Sequence, residues 1–337
     1  MPDSALRSPV PHRAWWRWIQ WLALDAVAVA VAWVYVFGRM TGARVFPVEV
    51  VCLGMAVWLV YMGDRLMDAR TGNGAAERHQ FAGGNVQWLL PLMIGMAAGA
   101  LWWALHTIGW ITLRAALWVG WAVGMYFGIV VASRWRPVSQ VLLLGVSGLV
   151  VIGLLQGESA TSPGVQLWRA VVVGIMATVL YVGLRYQYDP PPWVLTKKWL
   201  GGYLFAVGVA VVPFSHLENW PELLHGTPVM LFGSICTLNS LGIRLWESED
   251  PADPEMVMLR RLYPWLLTAV AGGALAQAWE ADQWTRPVLL GVAGCAAGFG
   301  LLHGLRSWPV AGRALAADGM MVAAALLVRW IGMRGLP

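Results

Sequence analysis

Residues 57 to 81 read VWLVYMGDRLMDARTGNGAAERHQF, an apolar run that changes within one helical turn into a cluster of acids and cations. The apolar part and the residues before it predict a membrane-spanning helix over 45–63. If this helix continues about one turn beyond the hydrocarbon core, Asp64 and Asp68, at positions i and i+4, project from one face. The stretch therefore predicts two neighbouring carboxylates where a helix leaves the membrane.

The rest of the chain is similarly apolar. Of its 337 residues, 58% are hydrophobic and 12% are charged, which excludes an ordinary soluble domain. Apolar segments of about 20 residues, the length that crosses a membrane, recur along the chain. We place eleven of them, at 15–38, 45–63, 86–106, 109–132, 138–156, 166–184, 198–215, 227–246, 261–279, 286–304 and 311–332. The sequence predicts an all-α, polytopic transmembrane helical bundle that forms one domain over 15–332, after a cytoplasmic tail over 1–14.

The cations indicate how the bundle is oriented. Arginines and lysines collect in alternate loops, and the intervening loops are poor in cations and rich in tryptophan. The positive-inside rule then places the N-terminus in the cytoplasm and the C-terminus outside, and we expect the inner membrane of a bacterium. Because these loops account for the net charge of +5, we do not expect a nucleic-acid partner. The three cysteines lie inside apolar segments and are expected to be packing residues.

A second acidic segment, RLWESEDPADPE, occupies residues 244–255. Glu247 and Asp250 stand at i and i+3, and Pro251 is expected to end the helix at Asp250. Six predicted spans separate this segment from the first acidic segment, 64–78. Because six is an even number, both segments are predicted to emerge at the same membrane surface, as a shared site requires.

Carboxylates beside cations fit a site for Mg²⁺ and phosphate. Mg²⁺ takes one or two carboxylates and leaves its other positions to water and substrate phosphates. Arginine and lysine neutralise the same phosphates. The available cations are Arg65, Arg70, Arg78, Lys197 and Lys198. The alternative for either acidic segment alone is a solvated, salt-bridged membrane boundary.

Three stretches resemble the UbiA superfamily of intramembrane prenyltransferases: DRLMDA, RYQYDPPPWVLTKKWLGGYLFAVG and LNSLGIRLWESEDPAD. Members resemble bundles of nine helices with an N-D-x-x-D-x-x-x-D motif after the second helix and a further acidic motif after the sixth. Asp64 and Asp68 match the second and third acids of the first motif. Val60 and Tyr61 stand where the family has its Asn and first Asp, and the predicted span count exceeds nine by two.

The resemblance implies a Mg²⁺-dependent enzyme that ionises an allylic prenyl diphosphate and transfers the prenyl group to an aromatic or lipid acceptor. The metal ligands that it implies are Asp64, Asp68, Glu247 and Asp250, with Glu249 as a further candidate. The diphosphate-binding side chains that it implies are Arg65, Arg78, Lys197, Lys198 and Arg244, and the catalytic ones are Asp64, Asp68, Arg65, Lys197 and Lys198. Tyr186, in the tyrosine- and proline-bearing loop, is an additional candidate. The alternatives are a UbiA-type terpene cyclase, a transporter and a non-catalytic isoprenoid-binding protein.

Two acids lie inside predicted spans, Asp25 in the first and Asp318 in the last. Acids within a membrane are costly and are therefore candidates for function. In a transporter they would be coupling groups. The structural alternative is a hydrogen bond to a neighbouring helix, or a shallow position that water reaches.

Overall fold

The computed structural model describes residues 17–70, 77–132, 193–218, 220–224, 226–248, 253–305 and 307–334. These residues form helices joined by short connections, and no strand occurs among them. The helices are α1 (Arg17–Trp21), α2 (Leu24–Thr41), α3 (Pro47–Arg70), α4 (Glu77–Gly84), α5 (Val86–Thr107), α6 (Trp110–Ala132), α7 (Trp193–Phe214), α8 (Trp220–Leu223), α9 (Thr227–Glu247), α10 (Pro254–Glu280), α11 (Thr285–Gly304) and α12 (Val310–Arg334).

The predicted helical bundle is confirmed for this part of the chain. Each predicted span that falls within it overlaps one long helix, and the spans predicted at 138–156 and 166–184 lie outside the described residues. Six of the described helices are long and apolar enough to cross a membrane, which supports an integral membrane protein. They are α2, α3, α5, α9, α11 and α12.

The first predicted span, 15–38, is wrong as a continuous helix. Helix α1 ends at Trp21 and α2 begins at Leu24, with Ala23 between them in the left-handed region at φ 54°. The reason is a tertiary contact. The buried guanidinium of Arg65 donates hydrogen bonds to the carbonyls of Gln20 and Trp21, the latter at 2.8 Å. These carbonyls therefore have a partner at the end of α1 without a further helical turn.

Helices α7 and α9 pack closely along a stripe of small residues. A methyl group on Gly202 would lie 2.5 Å from the backbone nitrogen of Thr237 and 2.9 Å from its Cα. One turn away in α9, Gly233 lies against Tyr203. Small residues let helices approach closely where van der Waals packing is the main attraction between apolar surfaces. The contact places Lys198, near the start of α7, beside the later half of α9.

Trp33 joins three helices at the centre of the bundle. Its side chain is fully buried, its indole Nε1 donates to the carbonyl of Met321 at 3.0 Å, and its ring stacks on Phe232 at 4.1 Å between centroids. Asp25 precedes Trp33 by about two helical turns and Asp318 precedes Met321 by about one. The Trp33 contact therefore holds α2 and α12 in the register that places these two acids opposite each other.

A contact between Glu49 and His216 joins the start of α3 to the residues just after α7. The side chain of Glu49 is 3% exposed, and its carboxylate oxygens lie 2.9 and 3.1 Å from His216 Nε2. The backbone N–H of Phe46 also donates to Glu49 at 3.2 Å. The two side chains are 167 positions apart in the chain, so their contact depends on the tertiary structure.

The close approach at Gly202 predicts that Gly202→Ala destabilises the protein. The added methyl group must push against the backbone of α9, and we expect the free energy of unfolding to fall by roughly 1–3 kcal/mol, as in overpacked cores. Gly273→Ala is the matched control, because no atom lies within 4 Å of a Cβ at Gly273. Thermal unfolding of both variants in detergent checks this. A Gly202→Ala variant as stable as Gly273→Ala would contradict the close packing.

Candidate functional site

A cavity opens among α2, α3, α4, α7, α9 and α12. The space between its lining residues measures about 780 Å³ and includes open solvent, so the bounded cavity is smaller. Its ionisable lining comprises four acids and three bases, Asp25, Asp64, Asp68, Asp318, Arg65, Arg78 and Lys198, together with His79 and Tyr61. Its remaining lining residues are Ala26, Val29, Phe205, Cys236, Asn239, Ser240, Ile243 and Met321. The cavity therefore combines a charged wall, formed by Asp64, Asp68, Arg78 and Lys198, with apolar surface.

Asp64 and Asp68 line this cavity together, as their i, i+4 spacing predicts. Helix α3 runs on to Arg70, beyond the predicted end of the span at residue 63. The extension is what carries both carboxylates onto one helical face. Lys198, from α7, lines the same cavity. Asp64 and Asp68 of the first acidic segment and Lys198 are thus brought together.

The two acidic segments also meet. Arg78 Nη2 donates to Glu247 Oε2 at 2.8 Å, and both side chains are about three-quarters buried. This ion pair ties α4, which follows the first acidic segment, to the last residue of α9. It agrees with the prediction that both segments share one surface. Helix α9 ends at Glu247, three residues before the predicted end at Asp250.

Arg65 has a structural task within the cavity wall. Its side chain is 7% exposed, and its Nη1 donates to the two carbonyls that end α1. Hydrogen bonds from a cation to helix C-terminal carbonyls are favourable because those carbonyls carry partial negative charge. We therefore assign Arg65 mainly to positioning α1 against α3, although the sequence analysis placed it on the diphosphate.

Asp25 and Asp318 meet within the apolar part of the bundle. Both side chains line the cavity, and Asn239 Nδ2 donates to Asp318 Oδ1 at 2.6 Å. Asp318 is 8% exposed and Asn239 is 9% exposed. The sequence analysis identified the two acids but missed Asn239. Asn239 could have been identified from the sequence, because an amide inside an apolar span needs a polar partner as much as an acid does.

His79 is a buried neutral group beside the charged wall. It is 8% exposed, and its Nε2 lies 3.4 Å from Arg78 Nε. Burial, and then the positive charges of Arg78 and Arg65, lower the pKa of His79 to about 4. At neutral pH the imidazole is therefore uncharged and can accept a proton only from a strong acid.

Tyr61 occupies the position of the first acid in the UbiA motif. Its ring lines the cavity and contacts Phe205 edge to face, with centroids 6.0 Å apart. Val60, at the position of the motif's asparagine, does not line the cavity. The structure therefore places an aromatic wall where the family pattern has a carboxylate.

The other predicted site residues either lie away from the cavity or fall outside the described residues. Arg244 is exposed on α9 and is not part of the cavity lining. Tyr186, Glu249, Asp250 and the side chain of Lys197 lie outside the described residues. Their predicted roles stay predictions.

The described residues contain no group of three or more histidine, cysteine, aspartate or glutamate side chains arranged to hold a metal. The donor set at the cavity is the carboxylate pair of Asp64 and Asp68. Mg²⁺ in phosphate sites commonly takes one or two protein carboxylates and completes its octahedron with water and phosphate oxygens. The pair fits that use, and it does not form a closed protein cage.

No protein-family model, curated protein or solved structure matches this chain. The resemblance to the UbiA superfamily consequently rests on the motif residues alone. Function is therefore argued below from the chemistry of the cavity.

The neutral state of His79 predicts a pH dependence of stability. An unfolded histidine has a pKa of about 6.5, so the unfolded chain binds a proton at this residue before the folded chain does as the pH falls. Stability should decrease from about pH 6.5 towards about pH 4, the folded pKa of His79. We expect His79→Gln, which cannot titrate, to lose less thermal stability than the wild type over this range.

Thermal unfolding of the two proteins in the same detergent, measured at several pH values, checks this expectation. The carboxyl groups titrate in both proteins, so the difference between them isolates His79. Parallel pH profiles would contradict a buried, neutral imidazole.

Proposed function

We propose that this protein is an integral membrane enzyme that binds an allylic prenyl diphosphate with Mg²⁺ and transfers the prenyl group to an aromatic or lipid acceptor. The observation that carries the proposal is the cavity itself. It combines two carboxylates on one helical face, two cations from other helices and a surface of apolar side chains. A molecule with a charged head and a hydrocarbon chain matches this division.

The charge of the cavity lining supports a role for the metal. Four acids and three bases line the cavity, so its side chains alone do not attract a multiply charged diphosphate. Mg²⁺ held by Asp64 and Asp68 would bridge the diphosphate and offset negative charge on the leaving group. Substrate binding is then expected to depend on the metal.

The cations that line the cavity have different proposed roles in diphosphate binding. Lys198 and Arg78 provide donors for phosphate oxygens, and charge-assisted hydrogen bonds of this kind are the strong ones. Because Arg78 is bound to Glu247, its guanidinium is held at the edge of the cavity before a ligand arrives. Arg65 acts indirectly, by fixing α1 over the cavity wall.

The apolar side chains of the cavity can contact the prenyl chain. Val29, Ile243 and Met321 supply such surface beside the polar lining residues. When the allylic C–O bond breaks, its electron pair leaves with the diphosphate and positive charge develops on the prenyl group. The faces of Tyr61 and Phe205 can stabilise that charge by cation–π attraction.

The same aromatic pair favours a second candidate, an intramembrane terpene cyclase. A cyclase uses the same ionisation but closes the bond within the prenyl chain. Mass analysis of the products separates the candidates, since a cyclic hydrocarbon formed without an added acceptor identifies a cyclase. Mg²⁺-independent uptake of a substrate into liposomes would instead favour the transporter alternative.

Release of diphosphate tests the enzymatic proposal. Purified protein with Mg²⁺ should release diphosphate from geranyl, farnesyl or geranylgeranyl diphosphate in the presence of an acceptor panel. Asp68→Asn should lower this rate by about 100-fold, the upper range found when metal coordination is disturbed. The matched control is Glu280→Gln, an exposed acid outside the cavity lining, which should retain the wild-type rate. No release by the wild type, or an equal rate for Asp68→Asn, would overturn the proposal.

Binding of a non-reactive prenyl thiodiphosphate tests the charge argument separately from turnover. We expect chelation of Mg²⁺ to abolish saturable binding. Lys198→Gln should weaken binding by about 10-fold or more, because a charge-assisted hydrogen bond is lost. Arg114→Gln, which removes an exposed cation outside the cavity lining, is the matched control. Binding that survives chelation and is equal in both variants would exclude the proposed diphosphate site.

A further inference from the structure

Three polar side chains from different helices meet in the cavity away from its charged wall. Asp25 comes from α2, Asp318 from α12 and Asn239 from α9, and all three line the cavity. Polar groups at such a depth are expensive unless every donor and acceptor is used. Each donor and acceptor atom of these three side chains is therefore expected to have a partner.

The acid pair, Asp25 and Asp318, is expected to hold one proton. Both carboxyl groups line the same cavity, and two neighbouring carboxylates in an apolar bundle repel each other unless one of them is protonated. Asp318 also accepts the amide of Asn239, and Asp25 Oδ1 accepts the backbone N–H of Ala26 at 2.9 Å. The pair therefore carries one net negative charge and can receive one more proton.

Asn239 Oδ1 has no such partner. The atom is buried, its side chain is about nine-tenths buried, and no donor among the described residues reaches it. Leaving a buried amide oxygen unpaired is unfavourable because the atom has lost its water and gained no donor. The Asn239 side chain is fixed by its bond to Asp318, so the oxygen is held beside the acid pair. It needs an O–H or N–H from a molecule that enters the cavity.

The charged groups around the acid pair leave it available as a proton acceptor. Arg65 and Arg78 influence it through space, and no ion pair joins either acid to a cation within the described residues. Arg65 is bound to the carbonyls of α1, and Arg78 is bound to Glu247. The other ionisable groups that face the pair are Tyr61 from α3 and Cys236 from α9.

We propose that Asn239 Oδ1 and the acid pair form a binding site for a hydroxyl or amine group of the acceptor substrate, with the acid pair as the acceptor of its proton. The catalytic part of this inference rests on the proposed prenyl transfer. The allylic C–O bond breaks and its electrons leave with the diphosphate. A lone pair of the acceptor oxygen or nitrogen forms the new bond to carbon, and the O–H or N–H proton passes to a carboxylate oxygen of the pair.

A metal ion is a poorer occupant for this site. Only two carboxyl groups and one amide oxygen converge there, one carboxyl is protonated, and the described residues hold no cluster of three metal ligands of the usual types. A bound O–H or N–H group can donate to Asn239 Oδ1 and then transfer its proton to the acid pair. Such a group interacts with all three side chains. The site therefore favours a protic acceptor, and it favours transfer over cyclisation.

Infrared difference spectroscopy with phenol and toluene tests the binding step without requiring turnover. In the wild-type protein, the C=O stretch of the protonated carboxyl should be present, and Asp318→Asn should remove or shift it. Phenol should displace this band in a saturable manner, whereas toluene, which has the same shape but no hydroxyl, should not. Asn239→Leu should abolish the response to phenol.

The comparison of phenol with toluene in the wild type needs no variant, so a poorly folding Asn239→Leu does not decide the outcome. A band that neither compound moves, or that both move equally, would overturn the binding site. Ser234→Ala, a change on the same helix outside the cavity lining, is the control and should keep the response to phenol.

A second measurement tests proton acceptance. With farnesyl diphosphate and phenol, Asp318→Asn should still release diphosphate but should form at least about 10-fold less prenylated phenol per diphosphate, with prenyl alcohol in its place. An unchanged product ratio would overturn the proton-accepting role. If the wild type responds to phenol in the infrared but releases no diphosphate, the proposed function fails and the binding site stands.

Discussion

Ionisable side chains among apolar helices carry a large desolvation cost, and the cost is reduced only where charges pair, share protons or bind backbone carbonyls. This constraint explains why the charged residues of α2, α3, α4 and α12 converge. Arg65 satisfies it by binding the carbonyls of α1, Arg78 by pairing with Glu247, and Asp318 by accepting the amide of Asn239. The cavity is the place where these solutions meet.

The ion pair between Arg78 and Glu247 has a consequence for ligand binding. A phosphate that takes the guanidinium of Arg78 competes with Glu247, and a partly buried carboxylate that loses its cation then needs another partner. A divalent cation carried by the diphosphate is such a partner. If phosphate replaced Glu247 at Arg78, Glu247 would be released to bind the divalent cation. Phosphate binding would then be coupled to metal binding by Glu247, a residue from the second acidic segment. The coupling requires no large movement, because α4 and the end of α9 are already in contact.

Much of the fold follows from local sequence patterns, and the departures have tertiary causes. The apolar runs predicted α5 and α6 almost to the residue, because the length and hydropathy of a membrane helix are properties of one segment. The break after Trp21 depends on Arg65, 44 positions away, and no pattern within 15–38 announces it. The pairing of Glu49 with His216 likewise depends on which helix ends become neighbours. The i, i+4 placement of Asp64 and Asp68 was predictable because one helix alone determines it.

Some features of the site can likewise be predicted from one segment of sequence, whereas others depend on tertiary contacts. Sequence identifies Asp25 and Asp318 as unusual, but their contact depends on the alignment of α2 with α12, which Trp33 sets through the carbonyl of Met321. The position of these two acids is relevant to the first UbiA-like motif, in which Val60 and Tyr61 stand where the family has its Asn and first Asp. Tyr61 removes a carboxylate from α3, while α2 and α12 supply two carboxyls to the same cavity.

The carboxyl groups of Asp25 and Asp318 do not act as metal ligands in place of the carboxylate that the family pattern has at the position of Tyr61. A close acid pair with a hydrogen bond to an amide is suited to receiving a proton, whereas a metal requires deprotonated ligands. If the protein transfers a prenyl group as proposed, Asp64 and Asp68, beside the cations, would hold the metal, and the acid pair would take the proton of the acceptor. The proposed reaction would then use the two sets of acids for different tasks, and it would not need a carboxylate in place of Tyr61.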